Sequence, residues 1–129
     1  MSHGLYRGKR RNGEWVYGYL VKFGPTGKET WSIIPSCASA LYTYEVDPET
    51  VGQYTGRTDQ CGNNKLFSGD KVLVYYGQIS EEDGPAIIEW DDDEACFMLV
   101  WDGLTVRLGE IPSYAMRHIG TIYDNSQEG

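Results

Sequence analysis

The sequence predicts a mainly β fold of short-stranded sheets, on three observations. Sixteen glycines in 129 residues, well above the usual ~7% and without collagen periodicity, require a chain that turns often. The aromatic content, carried mainly by ten Tyr and four Trp, sits in short runs mixed with Val and Ile, the composition of strands. No long apolar pattern of 3.6-residue period is present, so no long amphipathic helix is expected. A 40% hydrophobic chain of this length can cover one core, so a single domain over residues 1–129 is expected. Within it the turns mark two sub-modules, a β-hairpin module over about residues 1–50 and a small SH3-like or similar barrel over about 51–129.

The first strand pair reads from Leu5-Tyr6-Arg7 to Trp15 through Val21, with Asn12-Gly13 between them to supply positive φ at little steric cost. In the second strand Trp15, Tyr17, Tyr19 and Val21 alternate with Val16, Gly18 and Leu20, which suits a strand covered on much of both faces. Gly24-Pro25-Thr26-Gly27 breaks the chain. Trp31-Ser32-Ile33-Ile34 forms a strand closed by Pro35, and Leu41 through Val46 another closed by Asp47-Pro48; Ser36 through Ala40 between them fits a loop or one helical turn. Leu66-Phe67-Ser68-Gly69-Asp70 introduces the strand Lys71 through Tyr76. Ala86 through Trp90 and Cys96 through Trp101 flank Asp91-Asp92-Asp93-Glu94 and read as a hairpin. Thr105 through Leu108, a single turn at Pro112 through Met116, a strand His118 through Tyr123 and a frayed tail from Asn125 complete the chain.

Charge and cysteine usage exclude several classes. The net charge is −8, yet residues 1–30 hold six basic side chains against two acidic ones, a net of +4, while the remainder carries −12. An acidic chain repels phosphate backbones, so nucleic-acid binding is disfavoured outside the basic N-terminal patch. Cys37, Cys61 and Cys96 are an odd number without a Cys-x-x-Cys pair, and there are two histidines, so neither zinc nor a disulfide framework is expected. No signal-peptide pattern opens the chain and no apolar run approaches membrane-spanning length, which makes the reducing cytoplasm the expected compartment. No cofactor motif is present.

Five blocks carry a family resemblance: Tyr6 through Arg10, Asn12 through Leu20, Glu45 through Gly56, Leu66 through Val72, and Ile119 through Tyr123. Together they resemble, in family order and across almost the whole chain, the YopX family of phage and prophage proteins. The resemblance implies a mainly β fold, a phage or prophage origin in bacteria and no assigned biochemical activity, so no catalytic residue carries over. The family pattern usually has a Lys-rich turn and an acidic residue before the Gly-Asp; here Gln60, Cys61, Asn63, Asn64 and Ser68 occupy those places.

Four features compete for a functional role. Gly52, Gly56, Gly62, Gly69 and Asp70 form a turn-rich block that could cradle an anion, but it lacks the Gly-Lys-Ser/Thr ending of a P-loop, so the expected role is to set turns and register. Asp91, Asp92, Asp93 and Glu94 have neither the alternation nor the glycine of a calcium loop and read as a solubilising hairpin tip, with mimicry of DNA phosphates to inhibit a host DNA-binding protein as the rival. Cys61 and His118 offer a nucleophile and a base for a small enzyme or ligand-binding protein, but no third, orienting group is legible. Arg7, Lys9, Arg10 and Arg11 beside Trp15 and Tyr17 mix cations with rings as single-strand binders do, or else meet an acidic surface of another subunit. The expectation drawn is a non-enzymatic accessory protein without metal, cofactor or membrane contact. It would form a homo-oligomer or bind a host or phage protein. The basic N-terminal hairpin of one subunit would face the acidic hairpin of another, or the two regions would meet within one chain, with Trp90, Phe97 or Trp101 supplying apolar area.

Overall fold

The structure, a computed structural model, describes residues 5–35, 43–62 and 64–124. The chain divides into two compact units, Met1–Tyr54 and Thr55–Gly129, and both are built of antiparallel strands, as the glycine and aromatic patterns predict. Ser36 through Ala40, the Leu41-Tyr42 start of one expected strand, Asn63 and the tail from Asn125 lie outside the described residues.

In the N-terminal unit, β1 (Tyr6–Lys9), β2 (Trp15–Phe23), β3 (Thr30–Pro35), β4 (Tyr44–Glu45) and the first part of β5 (Asp47–Thr58) pair in the order β4-β3-β2-β1-β5. The β1–β2 connection is a longer turn than Asn-Gly alone predicts. The Gly13 N–H donates to the Arg10 carbonyl at 2.8 Å, Gly13 alone takes positive φ (91°), and the Asn12 side chain accepts from the Glu14 N–H. One face of the sheet holds a small core of Val16, Ile33 and Val46 with Tyr6, Leu20, Trp31, Tyr44 and Val51 against it. Gly8 sits where a Cβ would come 2.8 Å from Val46, so its missing side chain is what admits Val46 to that core.

Asp47-Pro48 does not end the strand region as expected; it opens β5, a 12-residue strand. Proline is tolerated there because the β1–β5 register shifts between Arg7 and Lys9, where no ladder N–H is required. Thr50 fills the irregularity: its hydroxyl accepts from the Lys9 N–H at 2.8 Å and donates to the Asp47 carbonyl at 2.7 Å.

In the C-terminal unit the end of β5 neighbours β6 (Lys65–Phe67). A second sheet runs β10-β9-β8-β7-β11, from β7 (Asp70–Val74), β8 (Ala86–Asp91), β9 (Cys96–Trp101), β10 (Leu104–Arg107) and β11 (Met116–Thr121). This pairing leaves β10 and β11 as the outer strands, so it establishes the antiparallel sheet and not a closed SH3-like barrel. Single 3₁₀ turns occupy Glu81–Asp83, Leu108–Glu110 and Ser113–Ala115, the last inside the turn expected after Pro112. The core gathers Leu66, Val72, Val74, Ile88, Leu99, Leu108, Ile111 and Met116. Trp101 joins it, 7% exposed, with its Nε1–H donating to the Gly84 carbonyl. That removes Trp101 from the surface strip expected of it.

Candidate functional site

The outer face of β2 is the first surface with chemistry on it. Alternation puts Trp15, Tyr17, Tyr19, Val21 and Phe23 on the face opposite Val16 and Leu20. The expectation of cover on both faces fails, because Tyr17, Tyr19 and Phe23 are 46%, 55% and 53% exposed. The reason is the sheet's single core: Val16, Leu20 and Ile33 fill one side. Arg7 pairs with Tyr17 and Lys9 with Trp15 across β1. Both cations face the indole, Arg7 Cζ 4.7 Å and Lys9 Nζ 5.6 Å from the Trp15 ring centroid.

The four basic residues of the hairpin therefore play different parts. Arg7 is 4% exposed and belongs to the packing around Trp15. Arg10 donates to Glu14 Oε1 at 2.7 Å and lies over the Tyr44 ring, whereas Arg11 is exposed at the turn. Lys9, Arg10 and Arg11 line an open concavity of about 850 Å³ together with Glu45, Asp47, Pro48 and Thr50. Its walls mix both signs of charge, so it is not a dedicated anion site.

The second surface is the β8–β9 tip. Asp91 Oδ1 accepts from the Asp93 and Glu94 N–H groups, Trp90 Nε1–H donates to Asp92 Oδ1 at 2.7 Å, and Arg107 Nη2 pairs with Glu94 Oε1 at 2.5 Å. Ala95 closes the turn at φ 55°, the sole non-glycine at positive φ among the described residues. Trp90, 48% exposed, packs edge-on against Phe97 with ring centroids 5.0 Å apart. The eight carboxylates of residues 81–94 do not form one patch. Glu81, Glu82 and Asp83 sit in a 3₁₀ turn before β8, under the Ser80 cap, Glu89 lies within β8, and Asp91 ends it with Asp92 through Glu94 beyond, about 20 Å from its start at ~3.3 Å per strand residue.

The glycine block and the Cys61/His118 pair converge on two buried carboxylates. Asp59, 2% exposed, accepts from Asn64 Nδ2 at 3.0 Å and from the His118 and Cys61 N–H groups at 3.1 Å. Asp70, fully buried, accepts the Phe67 N–H at 2.7 Å through Oδ2 and faces His118 Nε2 at 3.2 Å through Oδ1. Burial pushes the Asp59 carboxyl up. Hydrogen bonds from Asn64, His118 and Cys61, with the nearby His118 charge, outweigh burial and hold it below the usual carboxylate value. Gly56, Gly62 and Gly69 take φ of 86°, 72° and 93°; Gly52 is buried opposite Arg7. The structure thus brings Cys61 and His118 to one carboxylate through their backbones. Among the described residues no group of three or more His, Cys, Asp or Glu could hold a metal ion, and no helix is long and apolar enough to cross a membrane.

Sequence reasoning missed Asp59 and Arg57. Arg57 donates to the Leu108 and Ile111 carbonyls at 3.0 and 2.7 Å and to Ser113 Oγ, satisfying the ends of two 3₁₀ turns. A charged residue on either side of a Thr in a turn-rich stretch looks solvated, so no signal marked them.

The family model described as YopX protein matches residues 5–128, nearly the whole chain, and the chain belongs to that family. No curated protein and no solved structure matches it.

Proposed function

We propose that this YopX-family chain is a non-enzymatic phage or prophage accessory protein of the bacterial cytoplasm that works by binding protein surfaces, above all a second copy of itself. The observation that carries the reading is the exposed ring row of β2. Three half-exposed rings on one strand face, with Val21 between Tyr19 and Phe23, make an apolar row of the kind that marks interaction sites. Each aromatic side chain buries about 150–250 Å². Covering the exposed halves of three of them is worth on the order of 7 kcal/mol gross at ~25 cal/mol per Å². Exposed ion pairs add about 0–1 kcal/mol each, so rings hold the contact and charges orient it. The partner surface buries a comparable area, and what exceeds association costs of at least ~4 kcal/mol shows as affinity, hence a concentration-dependent assembly.

Two further arrangements support the same reading. The Asp59 and Asp70 contacts give Cys61 and His118 a structural task, tying the 59–64 turn and the Gly-Asp corner to β11. At the acidic tip, Asp91 is occupied by its own backbone and Glu94 by Arg107, which leaves fewer carboxylates to imitate phosphates. Light scattering at low and high salt tests the proposal. An oligomer at low salt that persists or loosens moderately at high salt supports it. A monomer at micromolar concentration in both refutes self-assembly and leaves a separate host or phage protein as the partner.

A further inference from the structure

We infer that the outer face of β2 on one copy receives the Trp90 end of the β8–β9 hairpin of a second copy, a contact between two different surfaces. This rests on the self-assembly reading above and specifies how it is built. The first surface is an exposed aromatic row, Tyr17, Tyr19 and Phe23; the second is the exposed Trp90, edge-on to the partly buried Phe97. Aromatic anchors of this kind carry most of the energy in protein contacts.

Charge selects the pairing. Lys9 lies beside Trp15 at one end of the ring row, with Arg11 exposed at the adjoining turn. Trp90 leads directly into Asp91, Asp92 and Asp93. Two tips oppose carboxylate to carboxylate, and like-charge juxtaposition penalises that pairing. Two β2 faces bring no carboxylate to Lys9 or Arg11, because β2 itself carries none. The crossed pairing alone places Lys9 and Arg11 of one copy near Asp92 and Asp93 of the next. Because every copy owns one of each surface, the contact repeats from copy to copy and yields a ring or an open filament according to whether the rotation closes.

Complementation tests this with the full chain. Tyr19→Ser disables the β2 face and Trp90→Ser disables the hairpin end. Wild type is expected to assemble beyond a dimer at micromolar concentration, and each variant alone to fall to the mass of one chain. Mixed in equal amounts, the variants should form a species of two chains, because one intact contact remains and cannot propagate. Phe23→Ser replaces Tyr19→Ser if the latter loses its wild-type circular dichroism. If wild type assembles but either variant keeps the full assembly, or the mixture stays monomeric, the crossed contact is wrong while self-assembly stands. If wild type itself is a monomer, the self-assembly reading falls and the crossed contact with it. A wild-type shift on single-stranded DNA that Tyr19→Ser abolishes would reassign the β2 face to nucleic acid and overturn the inference.

Discussion

The imidazole Nε2 of His118 stands 3.2 Å from Oδ1 of Asp70, a carboxylate with no exposure to solvent. Asp70 opens β7 and His118 lies on the neighbouring β11, while the other oxygen of Asp70 accepts the Phe67 N–H three residues back. One side chain thereby fixes the corner between β6 and β7 and the pairing of β7 with β11. Asp70→Ala removes the carboxylate that accepts that N–H and faces the ring. Urea denaturation should show a loss of at least about 1–3 kcal/mol, the cost of stranding buried polar groups, and Asp92→Asn at the exposed tip should stay within about 0.5 kcal/mol.

Asp59 makes stability depend on acid. Its carboxyl titrates lower in the folded chain than when unfolded, so its contribution is complete above the ordinary carboxylate range and is lost as pH falls through the folded value. Asp59→Asn should therefore destabilise at pH 7, and the gap to wild type should narrow below about pH 4. Thermal melts of both proteins across that range check the sign; a gap that widens in acid would contradict it.

Gly69 combines positive φ (93°) with a site where a Cβ would come 2.8 Å from Tyr123 Cε2. Gly56 has positive φ (86°) with nothing within 4 Å. An alanine at either position bears the left-handed cost of about 1–2 kcal/mol, and Gly69→Ala should lose more by whatever it takes to move the Tyr123 ring. Gly69→Val, branched at Cβ, should lose more again. Equal midpoints for Gly69→Ala and Gly56→Ala would show that the ring gives way freely.

Ala95 holds φ 55° at the β8–β9 turn, where glycine would sit without strain. Relief of that strain outweighs the extra freedom glycine gives the unfolded chain. Ala95→Gly should therefore be neutral to stabilising by up to ~1 kcal/mol, the reverse of the usual effect of glycine in a strand region. A clear drop in melting temperature would contradict it.

A net charge of −8 should keep binding to duplex or single-stranded DNA weak or absent at physiological salt. Gel shift is the check, and sub-micromolar binding would contradict the expectation.

Where the chain obeys local rules, its structure was legible. Asn12-Gly13, Gly24 through Gly27 and the four acidic residues after Trp90 mark real turns, because turn chemistry acts through neighbours in sequence. The β2 rings were misread because alternation says which residues share a face and not whether a second layer covers it. Pro48 was misread as a terminator because a register shift in β1–β5 pairing is invisible until the strands meet. Asp59, Asp70 and His118 come together from residues far apart in sequence, and no spacing rule reports such a meeting. Trp90 and Trp101 both sit in apolar runs beside the same hairpin; only the packing around Gly84 separates the core ring from the exposed one.

The central claim is that assembly runs through the β2 face and not through exposed rings in general. Sedimentation velocity on Tyr19→Ser beside Tyr114→Ser decides it, since Tyr114 is 73% exposed in a 3₁₀ turn and belongs neither to β2 nor to the hairpin tip. The account predicts that Tyr19→Ser sediments as a single chain at concentrations where Tyr114→Ser and wild type assemble alike. Equal sedimentation of all three, or loss of assembly only in Tyr114→Ser, would contradict it.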